Sequence, residues 1–186
     1  ELMESCRRNE KEVLALANQA PEGTDINYMA DIIERTQNNH GMFTIYDLKL
    51  ESVPRDDALS VLKKGPGMIK PNLAEFSQLT EMDKDMLRND WDAIVHNARS
   101  IIKQNDIDLV LISLDKDGGI LVDKNRAAHA NAPEIKVESP GCAGDTGIAA
   151  IIDRAKKRGF NLRKLTDPQF KRVLSAFVAG GVATAA

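Results

Sequence analysis

Aromatic residues make up only 4% of this 186-residue chain, and cysteine occurs twice, as Cys6 and Cys142. Two cysteines so far apart make no C-x-x-C pair and suggest no disulfide framework, so a cytoplasmic location is expected. His40, His96 and His129 show no metal-ligand spacing. An excess of positive charge is also missing: 25 Lys and Arg stand against 28 Asp and Glu, with a pI near 5.7. That balance argues against a general nucleic-acid binder. The one basic run, Lys156-Lys157-Arg158, reads as a helix C-terminus complementing the helix dipole. No apolar run approaches the length of a membrane-spanning helix and no signal-peptide pattern opens the sequence, so no membrane partner is expected. There is no internal repeat, low-complexity stretch or linker. What remains is ordinary for a globular protein, 42% hydrophobic and 28% charged, and it suits one α/β domain over residues 1–186. The chain opens on Glu1 rather than Met, which suggests a trimmed or partial chain.

Taken in order, the pattern alternates short apolar runs with amphipathic stretches. Glu1 to Arg8 reads as the end of a helix and Glu12 to Ala17 as a strand. Thr24 or Asp25 is expected to cap a helix with Ile26, Met29, Ala30 and Ile33 on one face, ending at Gly41. Met42 to Tyr46 is β-branched and aromatic, hence a strand, with Asp47 at its carboxyl end. Asp56 to Lys63 reads as a helix and Met68-Ile69 as a short strand. A helix is expected after Asn72, and another from about Asp90 with Trp91, Ile94, Val95, Ala98, Ile101 and Ile102 buried. Leu109 to Leu114 is the clearest buried strand. Asp117-Gly118-Gly119 turns it back into Ile120 to Val122. Extended pieces near Arg126 to His129 and Ile135 to Val137 follow. A last helix is expected to begin at Pro168 behind a capping Asp167. Strand–helix–strand order implies parallel pairing, so the fold class is α/β, a mostly parallel sheet with helices on both faces.

The chemistry-bearing stretch is V-E-S-P-G-C-A-G-D-T-G-I-A-A-I-I, residues 137–152. A loop of small residues feeds an apolar helical pattern, and free amides at a helix N-terminus bind anions. Asp145 at that mouth would repel an anion, unless its task is to take a proton from a group attacking a bound phosphate. Read alone, each rim residue has a plainer role. Asp145 could be an N-cap, Asn72 and Glu75 a capping box, Lys70 a solvated charge and Ser113 a strand-end hydroxyl. G-C-A-G-D is not the G-x-G-x-x-G of dinucleotide-binding domains.

The order I-K-P-N-L-A-E (69–75), L-I-S-L-D-K-D-G-G-I-L (111–121) and V-E-S-P-G-C-A-G-D-T (137–146) resembles the PfkB carbohydrate kinases of the ribokinase-like superfamily. The K-P-N-x-x-E form is most like their tagatose-6-phosphate kinase and 1-phosphofructokinase branch. The likeness covers the C-terminal, nucleotide-binding part of a family member, without the N-terminal portion and lid. It implies an ATP- and Mg²⁺-dependent phosphotransferase acting on a hydroxyl of a sugar or sugar phosphate. By that resemblance Asp145 is the catalytic base, and Cys142, Ala143 and Gly144 form the anion hole. Lys70, Ser113 and Gly118 line the nucleotide, and Asn72 and Glu75 hold the metal and its waters. Several positions depart from the family pattern, among them Cys142, which stands at the first glycine of G-A-G-D, and Asp115, at the glycine of T-L-G. The alternative reading is therefore a non-catalytic kinase-like domain, serving as a nucleotide-binding or interaction module. Apolar residues at the chain's edges lead to an expectation of self-association.

Overall fold

The computed structural model describes residues 12–17, 26–50, 53–134 and 142–185. Among them are six strands, β1 Val13–Ala17, β2 Phe43–Asp47, β3 Met68–Lys70, β4 Leu109–Ser113, β5 Gly119–Val122 and β6 Ala127–Ala130. Seven α-helices join or flank them: α1 Ile26–His40, α2 Arg55–Leu62, α3 Leu73–Thr80, α4 Lys84–Asn89, α5 Trp91–Asn105, α6 Ala143–Arg158 and α7 Asp167–Ala185. The sheet order is β1-β2-β3-β4-β5-β6; the first four strands run parallel, and β5 and β6 return antiparallel. The expected helix over Glu1 to Arg8, the Thr24 or Asp25 cap and the extended piece at Ile135 to Val137 lie outside the described residues. No helix among the described residues is long and apolar enough to cross a membrane.

Strand periodicity builds two cores. Successive side chains point to opposite faces. Tyr46, Ile69, Val110, Ile112, Ile120 and Val122 therefore join α1 to α5 on one face. Phe43, Ile45, Met68, Leu109, Leu111 and Leu121 join α6 and α7 on the other. Strand β4 is apolar along its length because both of its faces are covered.

Three details differ from the sequence reading. Trp91 is not core: it is 41% exposed, with its ring 6.1 Å from that of His129. It occupies the first position of α5, where the helix has only just begun to turn onto the sheet; the buried stripe starts at Ile94. Helix α4 is an addition, six residues capped by Asp83, whose carboxylate accepts from the amides of Asp85 and Met86. Helix α7 begins one residue earlier than expected. The Thr166 amide donates to Gln169 Oε1, and Asp167 pairs with Arg126 rather than capping.

Close packing of α6 on α7 sets up the site. A Cβ on Gly147 would stand 2.5 Å from the Phe177 ring, and one on Gly180 would stand 2.8 Å from the Thr146 carbonyl oxygen. Without side chains there, α7 seats directly beneath the first turns of α6 and holds that helix's N-terminus over the sheet.

Candidate active site

Register brings the first two site residues together. Asp47 and Lys70 are Cα partners in the β2–β3 ladder, each the last residue of its strand. Ile45 and Met68, two residues earlier, face α6 and α7, so period-two alternation turns Asp47 and Lys70 to that same face. Their side chains form an ion pair with Nζ 2.8 Å from Oδ1, and both are buried. Burial pushes the Asp47 carboxyl up; Lys70 and then Lys49 pull it back down, and the charge of Asp145 adds to the rise. Burial also raises the neighbouring Tyr46 phenol, helped by the Asp47 charge. The sequence places Asp47 on the rim, but not as the partner of Lys70. Its place at a strand's carboxyl end, one strand away from a K-P-N, was the available signal.

The N-terminus of α6 closes on this pair. A Cβ on Gly144 would lie 3.0 Å from Lys70 Nζ, so glycine leaves room for the ammonium close to the helix start. Cys142 is the N-cap residue: its carbonyl oxygen accepts from the Thr146 amide at 2.9 Å and the Thr146 hydroxyl at 3.0 Å, and its own side chain makes no capping bond. The amides of Ala143, Gly144 and Asp145 thus occupy the first turn, where α-helical bonding leaves donors free. Asp145 is the third residue of the helix and not its N-cap, which removes the plainer reading of it. It is exposed, and it makes no hydrogen bond or ion pair among the described residues. First-turn amides, a buried lysine and a carboxylate without a partner among the described residues therefore lie close together. Such a set can hold an anion and accept a proton beside it.

Cys142 itself has φ +64°, in the left-handed region. The position demands the conformation that glycine adopts freely, and an L-residue there costs about 1–2 kcal/mol. Cys142→Gly is accordingly expected to stabilise the fold by about 1 kcal/mol, after the extra chain entropy of glycine is set against the relieved strain. Chemical denaturation at unchanged m-value would show it; an unchanged or lower midpoint would mean the turn carries no strain. Asp115 likewise has φ +53°, in the turn where the family pattern places glycine.

The remaining predicted residues lie along the same rim. Asn72 and Glu75 form the expected capping box on α3: Asn72 Oδ1 accepts from the Glu75 amide at 2.8 Å, and Glu75 Oε2 from the Asn72 amide at 2.7 Å. Ser113 bridges to Asn72 across the sheet, its amide donating to the Pro71 carbonyl at 3.0 Å. That junction carries the K-P-N strand end to the end of β4. Gly118 has φ +89°, and a Cβ there would fall 1.9 Å from the Ala130 carbonyl oxygen. The hairpin needs glycine at that point, whatever else the residue contacts. The described residues offer no group of three or more His, Cys, Asp or Glu side chains fit for a metal. Mg²⁺ keeps several waters and takes one or two protein ligands plus substrate phosphates, so it does not require such a cluster.

A mostly parallel α/β sheet with a candidate anion site at the carboxyl ends of its strands has the layout in which such folds bind ligands. The chain belongs to the pfkB family of carbohydrate kinases, whose model matches residues 6–163. Tagatose-6-phosphate kinase of Staphylococcus epidermidis is 29% identical over 171 residues, covering 90% of this chain and 50% of the relative. Phosphofructokinase-2 from Escherichia coli, solved in complex with potassium, shares the fold at a TM-score of 0.77 and 20% identity, over 99% of this chain and 53% of that one. A fructokinase double mutant from Vibrio cholerae, bound to fructose, ADP and potassium, has a TM-score of 0.72 at 14% identity, over 94% of this chain and 54% of that one. The chain spans about half the length of the curated relatives it resembles.

Proposed function

We propose that this chain carries the nucleotide- and phosphate-handling part of a sugar-phosphate kinase. The γ-phosphoryl group of ATP would pass to a hydroxyl of the acceptor. The observation that carries this reading is the approach of Lys70 to Gly144 at the start of α6, beside an Asp145 with no hydrogen bond or ion pair among the described residues. Phosphoryl transfer asks the protein for positioning, positive charge or dipoles on the phosphoryl oxygens, and a carboxylate for the incoming hydroxyl. Asp145 takes the acceptor proton as the acceptor oxygen bonds to the γ-phosphorus. The bond from that phosphorus to the bridging oxygen breaks, and its electron pair leaves with ADP. The amides of Ala143 and Gly144, with Lys70, hold the transferring oxygens. Ser113 and Gly118 would line the nucleotide along the rim. Mg²⁺, held by Glu75, Asn72 and water, would neutralise the phosphate charge when bound. The names of the relatives favour a ketohexose phosphate as acceptor. Self-association fits the same reading, since phosphofructokinase-2 from Escherichia coli has been solved in a tetrameric inhibited form.

The non-catalytic alternative draws on the two departures at left-handed positions, Cys142 and Asp115. Calorimetry with Mg·ATP, followed by a coupled ADP assay over a panel of sugar phosphates, separates the two readings. The kinase reading expects saturable heat, and ADP release that depends on the acceptor. Neither heat nor ADP would leave the interaction module standing.

A further inference from the structure

At the opposite end of the sheet from Lys70 and Asp145 lies a cleft of about 780 Å³. Its floor is Leu109, the first residue of β4, whose last residue is Ser113 on the active-site rim. The walls are the last turns of α5, the β5–β6 turn and the α6–α7 connection. Two arginines build a firm frame. Arg126 pairs with Asp123 at 2.6 Å and Asp167 at 2.7 Å and stacks on Phe170. Arg163 pairs with Asp108 at 2.7 Å, donates to Gln37 Oε1 at 2.9 Å and to the Met42 carbonyl at 3.1 Å, and lies over Phe43.

These pairs consume three of the cleft's carboxylates and leave its other cations over. The side chains of Arg99, Lys103, Lys124 and Lys164 line the cleft with no hydrogen bond or ion pair among the described residues, against one unpaired acid, Asp106. Arg99 Nε is shielded from solvent and has no hydrogen-bond partner among the described residues. With six cations against four acids in its lining, the cleft carries a surplus of two positive charges in a chain of net charge −3. The volume is that of a small-molecule site rather than a polymer track. Arginine and lysine side chains lining one cleft favour a multiply charged oxyanion, which a guanidinium can hold through paired N–H donors.

We propose that this cleft is a binding site for a small phosphate compound carrying at least two negative charges, separate from the phosphoryl-transfer site. The ligand bridges Arg99 and Lys103 on α5 to Lys124 and Lys164 on the facing loops. The proposal does not rest on the kinase reading. The test is an NMR titration of the ¹⁵N-labelled chain with pyrophosphate, against chloride at matched ionic strength. Amides of Lys124, Asn125 and Lys164 are expected to shift and saturate, on a curve independent of that for Ala143 and Gly144. In the double variant Lys103→Glu, Lys164→Glu the first set is expected to need about tenfold more ligand or more, while the second is unchanged. Both substitutions fall on exposed positions, so the fold is expected to survive them. Shifts confined to Ala143 and Gly144, shifts reproduced by chloride, or an unaltered titration in the double variant would each overturn the site.

Discussion

Asp145→Asn is expected to cut phosphoryl transfer by about 10²–10⁴-fold, the usual contribution of a positioned general base. The side chain is isosteric, so the first turn of α6 keeps its shape, but an amide cannot take the acceptor proton. The helix loses an acid from its first turn, which costs about 0.3–1 kcal/mol at an exposed position, too little to unfold a stable domain. Binding of Mg·ATP should hold or tighten, because a negative charge leaves the mouth of an anion site. The decisive measurement is therefore a pair: turnover with a sugar phosphate, and the dissociation constant for Mg·ATP. Full turnover in the variant sinks the role of Asp145. Equal loss of turnover and binding would make it a structural residue instead.

The second large effect belongs to the buried pair behind it. Asp47→Asn leaves the Lys70 ammonium, 7% exposed, without its counter-charge. Removing one partner of a buried pair typically costs about 3–5 kcal/mol. Lys70→Met strands the carboxylate, and its penalty should depend on pH in a definite sense. Burial already raises Asp47, and Lys70 is the strongest influence opposing that rise. Without the lysine the carboxyl is raised further, so the folded state binds the proton more tightly than the unfolded chain does. Its contribution then favours folding at low pH and is lost as pH rises from the ordinary carboxylate range through the raised value. The variant should approach wild-type stability in acid and fall away towards neutrality. The double variant Asp47→Leu, Lys70→Met should regain most of the loss, since apolar replacement of a buried pair is often neutral, yet remain inactive. Urea denaturation at several pH values reads all three. Single variants that each lose less than about 1 kcal/mol, as an exposed pair would, refute the coupling.

Much of the fold can be read from local chemistry. The apolar run Leu109 to Leu114 must be a strand covered on both faces, and it is β4. N-x-x-E before an apolar stripe must start a helix, and the capping box of Asn72 and Glu75 starts α3. Gly41, at φ +66°, ends α1 as its position implied. Local chemistry misleads where the side chain's setting is decided elsewhere. Trp91 satisfies the helical period of its neighbours, but it stands at the first position of α5, outside the core that the helix's stripe enters at Ile94.

The site divides along the same line. Sequence alone determines that a small-residue turn feeds a helix, that Asp145 sits in its first turn, and that K-P-N-x-x-E ends a strand. Those are consequences of backbone propensity and of spacing within a few residues. Tertiary structure alone decides that Lys70 reaches Gly144, because the contact joins residues far apart in the chain. It needs the β2–β3 register to aim Asp47 and Lys70 at one face, and the glycines between α6 and α7 to seat the helix there. It also decides that Cys142 stands in a left-handed turn, since that φ is imposed by where the helix must begin and not by what cysteine prefers.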